Sequence, residues 1–179
     1  MKTNIKNLIA KAEQENRELS ELPAKLEIRQ AEIDYVPTLQ PEFYRSASPM
    51  LKERFSNFGH WENATHGDWL SIDEMKELWK DKTSSYMENI RSSIKACAEE
   101  WPNDAAGLFK DNRISVFAAD ENGYERIYLI WFDEVEEPEV WVYDCNGRAR
   151  YMNLAFYLQA YLEDDLSAYD EHCLLEDSM

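Results

Sequence analysis

The chain has 179 residues, of which 44% are hydrophobic, and a formal net charge of −17. A chain of this length can bury roughly 70% of the surface that its unfolded form exposes, so we expect one folded domain rather than whole-chain disorder. No apolar run approaches the roughly 20 residues that a membrane-spanning helix needs.

Negative charge is concentrated in the later part of the chain. Residues 1–59 hold 9 Lys and Arg against 9 Asp and Glu, whereas residues 60–179 hold 10 against 27. Such a field repels nucleic acid and anionic lipid and speeds encounter with a basic protein, although an acidic surface also serves solubility alone. We therefore expect a protein partner, with no nucleic acid and no membrane.

The cysteines and the N-terminus predict a cytoplasmic protein. Cys97, Cys145 and Cys173 are odd in number and far apart, which is not typical of a disulfide framework and agrees with a reducing compartment. The first residues, 1–5, lack the apolar stretch of a secretory signal.

Residues 1–40 are predicted to form an N-terminal helical addition. Apolar residues repeat at helical spacing over residues 4–18, but they are sparse after Ala12, so a peripheral helix is expected. A weaker helical pattern follows Pro23 and extends to Ile33. Pro37 and Pro41 then mark a loop, and residues 41–179 are predicted to form a single α+β domain.

The middle of the chain contains two helix start signals. Pro49 lies near the start of a predicted helix over residues 46–58. The stretch 59–68 is polar and aromatic, which favours a loop, with a short strand around Trp69. Ser71 and Glu74 then have the spacing of a capping box and predict the start of another helix.

Residues 113–166 predict strand, turn, strand, turn, strand, turn and helix. Residues that suit a pleated surface are dense over 114–119, 124–132 and 140–143. Asn122-Gly123, between the first two runs, predicts a tight hairpin because both residues tolerate a positive φ. Asn153 is a predicted N-cap, and the apolar spacing of 154–166 predicts a helix that covers the sheet.

Alternation along these strands predicts two different sheet faces. Ile127, Leu129 and Trp131 share the side that is expected to form the core. The other side carries aromatic rings with charges among them: Tyr124, Arg126, Tyr128, Glu139, Trp141 and Tyr143. These rings either pack under a helix or form a protein-binding patch, because Tyr, Trp and Arg concentrate binding energy at interfaces.

No pattern for catalysis, a cofactor or a metal is evident. His60 and His66 have no third ligand at a recognisable spacing, and no HExxH, paired CxxC or phosphate-loop pattern occurs. We therefore expect no cofactor and no metal, and a protein that is not an enzyme. The alternative is an enzyme. It would use a carboxylate pair or a Cys–His pair that the fold brings together from distant positions.

Several segments together resemble the SUKH superfamily. These are Trp-Leu-Ser-Ile-Asp-Glu-Met over residues 69–75, Ser-Val-Phe-Ala-Ala-Asp-Glu-Asn-Gly over 115–123, the runs 124–132 and 139–143, and the closing segment 154–162. The resemblance covers residues 69–165, and a family-like Leu-Gln-Pro-Glu-Phe-Tyr occurs at 39–44. It implies an α+β fold with a mainly antiparallel sheet and helices packed against it. Bacterial members are mostly immunity proteins that bind a polymorphic toxin domain, and a eukaryotic relative regulates cell-wall synthesis in yeast through protein contacts.

The sequence therefore predicts a non-catalytic protein-binding module. We expect an immunity protein whose partner is a basic toxin domain such as a nuclease, because charge complementarity raises the association rate. A regulatory scaffold of the same fold without a toxin is the alternative. The predicted contact residues are the carboxylates of one turn between strands, here called the acidic turn, with two aromatic neighbours: Asp133, Glu134, Glu136, Glu137, Glu139, Trp141 and Tyr128. The acidic turn also has a simpler interpretation as a solvated loop.

Overall fold

The computed structural model describes residues 4–19, 24–80, 85–99 and 110–170. Their elements follow in the order α1 (Ile5–Leu19), β1 (Lys25–Ile28), β2 (Tyr35–Pro37), β3 (Tyr44–Ser46), α2 (Pro49–Asn57), β4 (Phe58–Glu62), β5 (Asp68–Trp69), α3 (Ile72–Glu77), α4 (Ser85–Glu99), β6 (Ile114–Ala119), β7 (Arg126–Ile130), β8 (Glu139–Asp144), β9 (Gly147–Tyr151), α5 (Leu154–Leu162) and β10 (Tyr169–Asp170). Within this part of the chain, eight strands form one sheet in the order β1-β4-β5-β6-β7-β8-β9-β10, and β2 pairs with β3. Every pairing is antiparallel, which confirms the predicted α+β class.

Strands β6 to β9 form a continuous meander at the centre of the sheet. The predicted strands β6, β7 and β8 are present, and β9 is an additional strand that the sequence interpretation lacked. The β6–β7 connection is wider than the predicted two-residue turn. Asp120 N bonds Glu125 O at 3.1 Å, and within the connection Gly123 alone has a positive φ, of 78°.

Both faces of the central strands are covered. All six residues of β6 are buried, and so are residues 127–130 of β7, although their side chains alternate between the two faces. Ile127, Leu129 and Trp131 are core residues, as predicted. Of the two interpretations left open for the aromatic face, packing inside the protein applies to Tyr128 and Trp141, because both are buried.

One layer of helices consists of α1, α2 and α5. These three helices contact one another, α2 also contacts β4, and α5 contacts β8 and β9. The rings of Phe55 in α2 and Phe117 in β6 meet at 6.0 Å. Burial of apolar side chains between this layer and the sheet is the main source of stability at this interface.

The N-terminal region belongs to this same structure. Ile5, Ile9 and Ala12 of α1 are fully buried, so the helix predicted over residues 4–18 is present but is not peripheral. The predicted second helix is wrong, because residues 25–28 form β1 and pair with β4 at the edge of the large sheet. The predicted boundary near residue 40 therefore falls inside a continuous core.

Strand β4 is another departure from the sequence interpretation. Residues 59–68 were expected to form a loop, but Phe58–Glu62 pairs with both β1 and β5. Trp61 and Trp69 lie opposite each other in this pairing, with ring centroids 5.0 Å apart. A strand with a Gly and a His is a weak local signal, and pairing on both edges stabilises it here.

The predicted helix caps are confirmed. Ser71 and Glu74 form both halves of a capping box at the start of α3. Asn153 Oδ1 accepts from Ala155 N at 3.0 Å and from Phe156 N at 3.2 Å at the start of α5. α5 ends at Leu162 rather than at residue 166, and Leu166 is 52% exposed.

No described helix combines the length and apolar character needed to cross a membrane.

Candidate functional site

The acidic turn is largely engaged within the protein. Asp133 forms ion pairs with Arg45, at 3.0 Å, and with Arg113. Such pairs neutralise its charge and hold the turn against two other segments of the chain. Asp133 is therefore a poor candidate for attracting a basic partner.

The two carboxylates at the end of the acidic turn also have internal partners. Glu137 accepts a hydrogen bond from Met50 N, at 3.0 Å, at the N-terminal end of α2. Glu139 accepts from both Arg150 Nε, at 2.6 Å, and Arg150 Nη2, at 2.9 Å, and this bidentate geometry is the strong form of the interaction. Glu134 and Glu136 of the predicted set are exposed, and Asp133 is exposed as well in spite of its ion pairs.

Trp141 and Tyr128 do not lie on an accessible surface. They are 1% and 0% exposed, respectively. Trp141 Nε1 donates to Glu139 at 2.9 Å, and the Arg150 guanidinium lies 5.4 Å from the Trp141 ring. This supports the interpretation that these rings pack inside the protein. Their prediction as partner-contact residues is corrected, because both faces of the sheet are covered and the rings are buried.

A different surface brings together carboxylates from several segments of the chain. We call it the acidic cleft, a depression of about 790 Å³ beside the β4–β5 and β6–β7 connections. Among the described residues, its lining contains six carboxylates, one histidine and no Lys or Arg. The carboxylates are Glu62, Asp68, Glu74, Asp120, Glu121 and Glu125.

Neutral donors hold several of these carboxylates in place. Asp68 accepts from Asn63 N at 2.7 Å and from Tyr86 Oη at 2.9 Å. Glu125 accepts from Gly67 N at 2.6 Å. Amide and hydroxyl donors orient a carboxylate but leave its full negative charge, so the cleft is both ordered and strongly electronegative.

His60 lies at the edge of the acidic cleft. Its Nδ1 lies 3.0 Å from the Glu74 carboxylate, and this hydrogen bond raises the pKa of His60 above its usual value in spite of partial burial. The same carboxylate accepts from Ser71 N at 2.8 Å in the capping box. One side chain therefore both caps α3 and stabilises the protonated form of His60.

A second depression lies on the other side of the β4–β5 connection. We call it the tyrosine cavity, with a volume of about 480 Å³. Its lining includes four tyrosines and one histidine: Tyr151, Tyr157, Tyr161, Tyr169 and His66. The polar groups of His66, Tyr157 and Tyr169 form one connected network that includes Asp144.

His66 is the centre of that network. Its Nδ1 lies 2.7 Å from Tyr157 Oη, and its Nε2 lies 3.2 Å from Tyr169 Oη and 3.1 Å from Asp144 Oδ2. Burial lowers the pKa of His66. This effect is larger than the opposite effect of Asp144 and Glu125, whose negative charges raise the pKa. Burial likewise raises the pKa of Tyr157 well above its usual value. The network therefore consists of neutral rings around one carboxylate at neutral pH.

These arrangements do not form a metal or disulfide site. No group of three or more His, Cys, Asp or Glu side chains is placed to hold a metal ion within the described ranges. Cys145 is exposed and free, Cys173 lies outside the described residues, and the same is true of the Cys97 side chain.

Sequence reasoning missed both depressions because distant segments form them. The acidic cleft combines residues 60–68 with Glu74, Tyr86 and residues 120–125. One local signal was available for the tyrosine cavity, since Tyr157 and Tyr161 are four residues apart and share one face of α5. Nothing local indicates that Asn16 of α1 also lines the cavity.

Comparison of the chain with protein-family models, with curated proteins and with solved structures finds no match.

Proposed function

We propose that this chain is a non-catalytic cytoplasmic protein-binding module, an immunity protein that neutralises a basic toxin domain by direct binding. The observation that carries the proposal is the acidic cleft, with six carboxylates and no Lys or Arg in the part of its lining that the structure describes. The sequence resemblance to the SUKH superfamily supports the same function.

The chemistry of the cleft favours a protein partner with Lys and Arg on its surface. Asp68 and Glu125 are held by neutral donors, so binding to these two carboxylates does not first require breaking an ion pair with those donors. A partner's guanidinium or ammonium groups would provide the missing positive charge. Carboxylates that line a concave site focus the negative electrostatic field there, and this raises the association rate of a basic protein.

The acidic cleft replaces the acidic turn as the proposed contact surface. Within the turn, Asp133, Glu137 and Glu139 already have partners inside the protein. Glu134 and Glu136 are exposed and provide a comparison surface of the same charge.

The test uses the product of the gene directly upstream, in a catalytically inactive form, as the binding partner. Its association rate is measured with the native chain, with the cleft variant Glu62→Lys/Glu121→Lys and with the control variant Glu134→Lys/Glu136→Lys. All four glutamates are exposed, and the two variants change the net charge equally. We expect the cleft variant to associate about 10-fold more slowly at low salt and to lose most of its salt dependence, whereas the control changes little.

Each other outcome decides against part of the proposal. Slower association of the control variant alone would return the contact surface to the acidic turn. No binding by the native chain, together with no protection of cells that express the active upstream product, would reject the immunity function. That result would leave the regulatory scaffold as the better interpretation.

A further inference from the structure

The tyrosine cavity is built from segments that span most of the chain. Its walls come from α1, the β4–β5 connection, β9, α5 and β10, and its volume of about 480 Å³ is within the range of small-molecule sites. The rings meet at steep angles rather than in a stack. Tyr151 and Tyr157 are inclined at 62°, and His66 and Tyr161 at 72°.

The tyrosine hydroxyls at three of these positions are already used. Tyr161 Oη donates to Asn16 Oδ1 at 2.6 Å, and Tyr169 Oη donates to Asp144 Oδ2 at 2.8 Å. Tyr157 Oη is within hydrogen-bonding distance of both Thr65 and His66. These bonds hold the rings in position, so what the rings can still offer a guest is their π-systems.

The charged side chains that line the cavity within the described ranges are negative. They are Glu15, Asp164 and Asp165, and no described Lys or Arg lines it. Glu15 belongs to α1, whereas the two aspartates follow α5, so the carboxylates come from two separate segments. Aromatic rings attract a cation through their quadrupoles, and carboxylates add a longer-range attraction that an anion or a neutral guest does not gain.

We propose that the tyrosine cavity binds an organic cation, either an alkylated ammonium or a guanidinium group. The rings contact the guest, Glu15 and Asp165 balance its charge, and the hydrogen bonds of Asn16 and Asp144 keep the rings in place. This site does not depend on the proposed toxin binding, because the glutamates altered to test the acidic cleft do not line the cavity.

The experiment compares cations with neutral molecules of the same shape. Choline is titrated against 3,3-dimethyl-1-butanol, and Nα-acetylargininamide against Nα-acetylcitrullinamide, with NMR shifts of labelled tyrosine rings as the readout. We expect each cation to bind at least about 10-fold more tightly than its neutral counterpart. Preference for choline indicates a free ammonium compound as the source, and preference for the arginine derivative indicates a side chain of a partner protein.

Two pairs of variants test the residues. Glu15→Gln is matched by Glu163→Gln, which removes the same charge from an exposed position outside the cavity lining. Tyr161→Leu is matched by Tyr161→Phe, which keeps the ring and loses the hydroxyl. We expect Glu15→Gln and Tyr161→Leu to weaken cation binding about 3- to 10-fold, Glu163→Gln to retain it, and Tyr161→Phe, which loses only the bond to Asn16, to weaken it less than Tyr161→Leu does.

Equal binding of the cations and their neutral counterparts would overturn the proposal. So would the absence of tyrosine shifts with either cation, or equal losses for Glu15→Gln and Glu163→Gln.

Discussion

Arg54 is a charged residue placed in the interior of the fold. It is fully buried, and its guanidinium donates to Phe58 O at 2.6 Å, Gly59 O at 2.8 Å and Leu70 O at 3.3 Å. Burial lowers its pKa to about 9, partly offset by the attraction of Glu74, so the charge persists at neutral pH. Arg54 thereby connects the end of α2 with β4 and with the segment before α3.

We expect Arg54→Lys to reduce the free energy of unfolding by about 2–4 kcal/mol, because an ammonium group cannot reproduce the planar donor fork and leaves buried carbonyls unpaired. Urea denaturation at neutral pH measures the change. Arg17→Lys is the control, since Arg17 lies on the exposed side of α1 and pairs with Glu13 of the same helix. Equal stability of the Arg54→Lys variant and the native protein would show that these bonds contribute nothing.

The two histidines at the β4–β5 region affect stability with opposite pH dependence. The hydrogen bond with Glu74 raises the pKa of His60 in the folded state, so its contribution is complete below the unfolded pKa and is lost as pH rises through the folded one. Burial lowers the pKa of His66. Its unfolded form therefore gains a proton first, and stability falls as pH drops from about 7 toward the lowered pKa.

The stability losses of two variants should therefore change in opposite directions with pH. We expect the loss caused by His60→Gln to be larger at about pH 5 than at about pH 7.5, and the loss caused by His66→Gln to be smaller at the lower pH. Denaturation curves of both variants and the native protein at each pH provide the measurement. Parallel pH profiles for the two variants would contradict the opposite shifts.

At the scale of single elements, α5 depends strongly on its cap. It is a nine-residue helix, and isolated helices of that length are marginal in water. Packing on α1, β8 and β9 stabilises its body, and Asn153 satisfies two amides at its start.

We expect Asn153→Ala to lower the free energy of unfolding by about 1 kcal/mol, and Asn153→Asp to retain most of the stability because Asp also accepts from these amides. Asn122→Ala, in the exposed β6–β7 connection, is the matched control and should change stability by less than about 0.5 kcal/mol. Chemical denaturation distinguishes the three. A loss at Asn122 as large as the loss at Asn153 would mean that the cap is not the cause.

How well an element could be predicted depended on whether its signal was local. The strands β6 to β8 and the starts of α3 and α5 follow from residue type, alternation and capping residues within a few positions. β1, β4 and β9 were missed because they are short. In addition, their apolar patterns are weak or their pairing partners lie elsewhere in the chain. In β9 only Ala149 and Tyr151 are buried, and Arg148 and Arg150 alternate with them.

At the scale of the whole molecule, ion pairs with arginines determine which carboxylates keep an unbalanced negative charge. The excess in residues 60–179 is a property of composition. In the fold, Arg45 and Arg113 pair with Asp133, and Arg150 pairs with Glu139, so guanidinium groups neutralise much of the acidic turn. No Lys or Arg of the described part of the chain lines the acidic cleft or the tyrosine cavity.

The amino-acid sequence by itself determined the α+β class, the central strands, the core positions Ile127, Leu129 and Trp131, and the overall acidity. These depend on periodicity and composition, which each segment carries independently of the others. The tertiary structure alone decided which carboxylates are neutralised, which aromatic rings are buried and which ones line a cavity. Those properties depend on neighbours such as Arg150 and Glu139, which strand register brings together across the sheet.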